Sequence, residues 1–284
     1  MTPNGESHPV NMNKLEQLAS DFPTGDFASE HYDNNPVKTT QVKQLLVILS
    51  TQRSGSTYLC DLLRQENICN AHEYFQPYQY LQYLAFRWQC IEDGFINKSK
   101  YVAQLIKHRV SDKGILGINL HGSHLDEFEA FKGNFDDSVD VRYVFLKRND
   151  EIAQAVSYDI ADQTGKWSSF FSSLNKPKYN FWLILEKLER IKAQNALILA
   201  FLNKSKSKYT LLTYEELVSN NDIVINDLVI PIAKDDSKTI KKQSTNINDE
   251  WIKRFSEDYY NYSFNKKILP DTMLDRVAKR ILYR

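Results

Sequence analysis

The run Leu45-Leu-Val-Ile-Leu49, together with the polar loop and helical pattern directly after it, constrains this chain more than any other segment. A short unbroken apolar run suits a strand buried on both faces rather than one alternating between core and water. It breaks at Ser50 into the polar loop Thr51-Gln-Arg-Ser-Gly-Ser-Thr57, after which Tyr58, Leu59, Leu62 and Leu63 recur at helical spacing. A buried strand, a glycine-bearing loop and a helix form a βα unit whose amides and helix N-terminus converge on an anion. The plainer alternative is a serine-rich turn that only caps the helix.

The pattern returns along the chain. Val141-Arg-Tyr-Val-Phe-Leu146 reads as a strand, and residues 151–163 read as a helix with Asp150 as its cap and Gly165 at its C-terminus. A third strand candidate, Tyr209-Thr-Leu-Leu-Thr213, runs into Tyr214-Glu-Glu-Leu217. A long helix is expected over residues 179–203, and Asp249-Glu-Trp-Ile-Lys-Arg-Phe255 looks like a helix start behind a polar, basic surface loop at 235–248. Strands alternating with helices predict a three-layer, P-loop-like α/β fold with a central, mostly parallel sheet flanked by helices. Residues 1–40 are polar and are expected to form a loosely packed lead-in, with 41–284 as a single domain.

Charge narrows the partners. Thirty-six basic side chains balance thirty-six acidic ones, which gives no general reason to expect nucleic acid. No stretch reaches the roughly 18 apolar residues of a membrane span. Cys60, Cys69 and Cys90 are odd in number and lack zinc-like pairing, so reduced thiols in a cytoplasmic protein are expected. An isologous homodimer is the default expectation for assembly.

The loop lacks the Walker pattern: no glycine opens it and no lysine follows Gly55. Its cation, Arg53, stands before the glycine instead. That is poor for a kinase organising magnesium and a γ-phosphate, and better for a group carrying less charge. A sulfuryl group in transfer carries one negative charge where a phosphoryl carries two, so no metal is expected. A magnesium-dependent small-molecule kinase and a non-catalytic nucleotide-binding descendant remain the alternatives.

The loop and helix sequence Ser50-Thr-Gln-Arg-Ser-Gly-Ser-Thr-Tyr-Leu-Cys-Asp-Leu-Leu-Arg64, followed by Glu73-Tyr-Phe75, resembles the bacterial trehalose sulfotransferase family. The resemblance continues in the same order through Leu146-Lys-Arg-Asn-Asp150, Gln154-Ala-Val-Ser157, Gln163-Thr-Gly-Lys-Trp167 and Asp249-Glu-Trp251. It implies transfer of a sulfuryl group from the nucleotide donor PAPS, leaving PAP, onto a carbohydrate or glycolipid hydroxyl. Arg53 takes the place of the family's loop cation, and Ser54, Gly55, Ser56 and Thr57 would hold the donor's 5′-phosphate.

Glu73 is the implied general base. Burial between Tyr74 and Phe75 is expected to raise its pKa; without the resemblance it is an ordinary surface glutamate. Arg148 and Ser157 are the implied 3′-phosphate clamp, against readings as a strand-end charge and a tolerated small helix residue. Lys238, Lys241 and Lys242 would fold over the phosphates, or are simply a solvated charge run. Gln163 and Trp167 are candidates for the acceptor side, with core packing the competing role for the tryptophan. In Leu116-Gly-Ile-Asn-Leu-His121, Asn119 stands where the family usually has lysine, with His121 as the compensating group. The tyrosine- and phenylalanine-rich stretch 76–113 follows the family least, so acceptor choice is expected to reside there.

Overall fold

A computed structural model describes residues 15, 25–33, 41–167, 175–220, 222–225, 228–231 and 246–268. The chain divides into two compact units, Met1–Asn149 with Gln194–Ile240 and Asp150–Ala193 with Lys241–Arg284. In chain order the elements are β1 (Gln44–Ser50), α1 (Ser56–Gln65), α2 (Tyr80–Arg87), β2 (Ile91–Glu92), β3 (Phe95–Ile96), α3 (Lys98–Arg109) and β4 (Ile115–His121). They continue with α4 (Leu125–Lys132), β5 (Asp140–Lys147), α5 (Glu151–Thr164), α6 (Phe181–Ser205), β6 (Tyr209–Thr213), α7 (Tyr214–Ser219), β7 (Asp222–Ile225), β8 (Leu228–Pro231) and α8 (Asn246–Ile268).

The first unit is built on a parallel sheet of order β4-β1-β5-β6. The double-sided burial expected for β1 follows from its central place. Leu45, Val47 and Leu49 enter one apolar cluster, with α2, α3, α4 and the C-terminal part of α6. Leu46 and Ile48 enter another, with α1, Leu217 of α7 and the β7–β8 hairpin. On β5, Tyr143 and Phe145 join the first cluster and Val144 and Leu146 the second. Period-two side chains feed two cores, so the sheet lies between two helical layers. Each buried leucine or isoleucine contributes about 1.5–3 kcal/mol.

Three of the four sheet strands match the apolar runs in the sequence. The fourth, β4, has no counterpart among them. Its Leu116, Ile118 and Leu120 face the first cluster, while Gly117, Asn119 and His121 alternate with them. Gly117 is needed where it sits: a Cβ there would lie 2.5 Å from Cys69 Sγ and 2.7 Å from Ala71 Cβ.

Residues 25–33 depart from the loose lead-in expected of them. Asp33 receives both Arg87, through Nη2 at 2.7 Å and Nε at 2.9 Å, and Arg109, through Nη1 at 2.7 Å. Trp88 Nε1 donates to the same carboxylate at 3.0 Å, and Arg109 Nη1 also donates to Tyr32 O at 2.9 Å. Phe27 and Ala28 are buried. Composition reports average polarity; here a few charge-assisted hydrogen bonds tie a polar segment down.

The second unit packs Ala155 and Val156 of α5, Ile184, Leu188 and Ile191 of α6, and Trp251 and Phe255 of α8. Asp150 caps α5 by accepting from Ala153 N at 2.9 Å, and Gly165 ends it at φ +70°. Within the stretch read as a surface loop, residues 246–248 already belong to α8, and 235–245 lie outside the described residues.

Candidate active site

The site is assembled at the carboxyl ends of the parallel strands, where an open α/β sheet binds its ligands. Leaving β1, the chain crosses Thr51 and Ser54, both fully buried, and enters α1 at Ser56. Arg53 (φ +64°) and Gly55 (φ +93°) take left-handed backbone conformations, which for the arginine costs of order 1 kcal/mol. Gly55 is the N-cap of α1 and brings no side chain, so no side-chain cap competes for the first helical amides. A Cβ at Gly55 would come within 2.6 Å of Tyr214 Cδ2. Tyr214, at the start of α7, therefore packs directly against the loop.

Two guanidinium groups meet here. Arg148 lies over the Tyr214 ring, 4.6 Å from its centroid, at the end of β5. Burial first, and then the Arg148 charge, lower the Arg53 pKa to about 10, so Arg53 stays cationic at neutral pH. Arg148 Nε and Ser54 Oγ are buried with no hydrogen-bond partner among the described residues. Like charges converging on orphaned donors call for an anion to neutralise them. An anion bound there would supply the missing acceptors.

Next to the loop lies a polar line. Ser50 and His121 are register partners at the ends of β1 and β4, and Ile48 pairs with Asn119. Ser50 Oγ is 3.1 Å from Asn119 Oδ1 and 3.1 Å from His121 Nδ1. His121 Nε2 reaches Glu73 Oε1 at 3.3 Å. Glu73 precedes the buried Tyr74 and Phe75, on a stretch held to β4 by the bridge between His72 and Ile118. The expectation that burial would raise its pKa is overturned. Burial pushes that way, but the charges of His121, His124 and His72 and the His121 hydrogen bond outweigh it and hold the carboxyl at about 2. His124 is itself pushed down to about 4, by burial and by His121.

A family model, Stf0 sulphotransferase, matches residues 45–258, three quarters of the chain and all of the elements just described from β1 into α8. The chain belongs to the Stf0 sulphotransferase family. No curated protein matches the chain in sequence.

In this sulphotransferase the first unit brings together Arg53, Ser54, Gly55, Ser56, Thr57, Arg148, Glu73, Asn119 and His121 of the sequence-predicted residues. Asn119 and His121, expected on the acceptor side, are 2% and 5% exposed and engaged with Ser50 and Glu73. Ser157 sits half-buried on α5 of the second unit. The Gln163 amide is committed locally: Nε2 donates to Asp159 Oδ2 at 2.8 Å and to Lys178 O at 2.9 Å, while Oε1 accepts from Lys178 N at 2.8 Å. Trp167 remains 38% exposed and meets Tyr158 edge-on at 5.7 Å. Lys238, Lys241 and Lys242 lie outside the described residues.

Sequence reading missed Ser50, His72, His124 and Tyr214 as neighbours of the candidate residues. In sequence Ser50 is only the break after a strand, and Tyr214 only the start of a helix. The one available signal is the alternation Leu116-Gly-Ile-Asn-Leu-His121, which places Asn119 and His121 on one strand face.

Proposed function

We propose that this sulfotransferase takes its sulfuryl group from PAPS and passes it to a hydroxyl of a carbohydrate or glycolipid. The observation that carries the donor reading is the convergence of Arg53 and Arg148 on the Gly55 loop beside the orphaned Ser54 hydroxyl. Ser54, Ser56, Thr57 and the amides opening α1 would hold the 5′-phosphate. Arg53 would stabilise charge on the bridging oxygen as the sulfur–oxygen bond lengthens, and Arg148 would hold the 3′-phosphate. A closing role for Lys241 and Lys242 rests on the family resemblance alone. PAPS supplies the activated sulfuryl group, and its other product is PAP.

Glu73 is the proposed base. Its Oε1 faces His121, which leaves Oε2 to take the acceptor's proton as the hydroxyl oxygen bonds to sulfur and the nucleotide leaves with the electron pair. A carboxyl held at about 2 is fully ionised at neutral pH, though less basic than the raised carboxyl expected from burial alone. The acceptor side draws on the segment after Glu73. No helix among the described residues is long and apolar enough to cross a membrane.

The test is transfer from radiolabelled PAPS to a panel of sugars and glycolipids in the presence of EDTA, alongside calorimetric titration of PAP. Metal-independent label transfer with PAP binding supports the proposal. A folded protein that binds no PAP overturns it.

A further inference from the structure

We infer that a cavity lined by the N-terminal segment, the end of α2 and the last turns of α3 is a second ligand site, and that it takes a neutral saccharide. The cavity measures about 370 Å³, within the size range of small-molecule sites. It shares no residue with the donor loop or the Glu73 line. Ser111 N donates to Ile115 O at 3.0 Å, which puts the end of α3, with His108, at the amino end of β4. The loop and Glu73 gather at the carboxyl ends.

The wall divides into spent groups and free ones. Asp33 already accepts from Arg87, Arg109 and Trp88 Nε1, so its charge is neutralised and Arg87 is committed with it. His108 stacks on Trp88 at 5.2 Å with 16° between the rings, and its Nδ1 lies 3.0 Å from Asp33 O. A carbonyl only accepts, so Nδ1 donates, and Nε2 is left without a partner among the described residues. The side chains of Glu30, Gln89 and Gln104, which complete the wall, likewise make no hydrogen bond or ion pair among those residues.

Gln89 carries a further mark. In the turn that ends α2, Cys90 N donates to Ala85 O at 2.7 Å and Gln89 N to Phe86 O at 3.0 Å, with Gln89 at φ +54°. Glycine is the usual residue at that position, because it alone escapes the steric cost of a Cβ there. Here a glutamine occupies it, and the glutamine lines the cavity.

The free groups are one carboxylate, two amides that each donate and accept, and one imidazole nitrogen. That mixture matches vicinal hydroxyls, which also donate and accept. A phosphate or sulfate calls for cations, and the arginines here are paired with Asp33. An apolar ligand would strand all four polar groups, and an amine would use Glu30 and leave the amides idle. A saccharide engages all of them.

The test is a titration of the nitrogen-labelled full chain with neutral mono- to pentasaccharides of glucose, galactose, mannose and N-acetylglucosamine. It is read by NMR at the side-chain amides of Gln89 and Gln104 and at the Trp88 indole N–H. At least one series should move all three signals together. Gln89→Gly removes a side chain where the backbone favours glycine, so the thermal midpoint should hold or rise while saccharide affinity falls about tenfold. Gln104→Ala should weaken the same saccharide by a similar factor. Silence of the three signals across the whole panel overturns the inference. So does a saccharide that binds both variants as tightly as the parent, because it then sits elsewhere. Inorganic phosphate that moves these signals at lower concentration than any saccharide would show an anion site instead and overturn it too. Binding is read without PAPS, so a chain that holds a saccharide here yet transfers no sulfuryl group counts against the proposed function alone.

Discussion

Glu73 sits 21% exposed among three histidines, and the net result is a carboxylate rather than a neutral acid. Replacing it with Gln removes the proton acceptor but keeps the size and a donor–acceptor end. The expected outcome is a fall in kcat of about 10²-fold or more in steady-state PAPS assays, with PAP affinity by calorimetry within about twofold of the parent. Stability carries the same signature. The folded pKa is depressed from an unfolded value of about 4.3 to about 2, so the group stabilises the fold above its unfolded pKa and that contribution is lost as pH falls toward 2. Urea midpoints between pH 5 and pH 3 should drop more for the unsubstituted protein than for Glu73→Gln. Asp26, also lowered in spite of burial through its His72 contact, adds a slope of the same sign in both. Arg148→Ala should weaken PAP binding by tenfold or more, because the buried donor Nε disappears with its charge.

At the scale of elements, the strand–loop–helix unit was fully legible in sequence because its information is local. An apolar run, a glycine and a helical period are each read within a dozen residues. What the unit touches was not legible. Gly55 is required twice, by its φ of +93° and by the Tyr214 ring that closes over it from 159 positions further along. Gly55→Ala should therefore cost about 1–3 kcal/mol, read as a lowered thermal midpoint, and weaken PAP binding by displacing Tyr214 from beneath Arg148. β4 escapes a reading by apolar runs because one of its faces carries Gly117, Asn119 and His121, which lower its mean hydropathy below that of β1. That polar face is the one that carries the site.

At the scale of the whole chain, residues 25–33 depart from the loose packing expected of them. Asp33 is the shared acceptor of Arg87, Arg109 and Trp88, and the Arg109 side chain is fully buried. Asp33→Ala would leave that guanidinium without its counter-charge. A loss of about 3–5 kcal/mol is expected, measured as a shift of the urea midpoint. Composition could not foresee this, because polar average and local pairing are independent quantities.

The sequence by itself determined the layered α/β plan, the strand–loop–helix unit, the family and the identity of the groups that bear charge. All of these come from local patterns of apolar and glycine residues or from motifs in fixed order. The tertiary structure alone decided the state of Glu73. Parallel register sets Ser50 against His121, 71 positions away, and the His72–Ile118 bridge brings the segment bearing Glu73 alongside. A carboxylate's pKa is a sum of burial and charge over a few ångströms, and which charges fall within that distance is decided only when the strands pair.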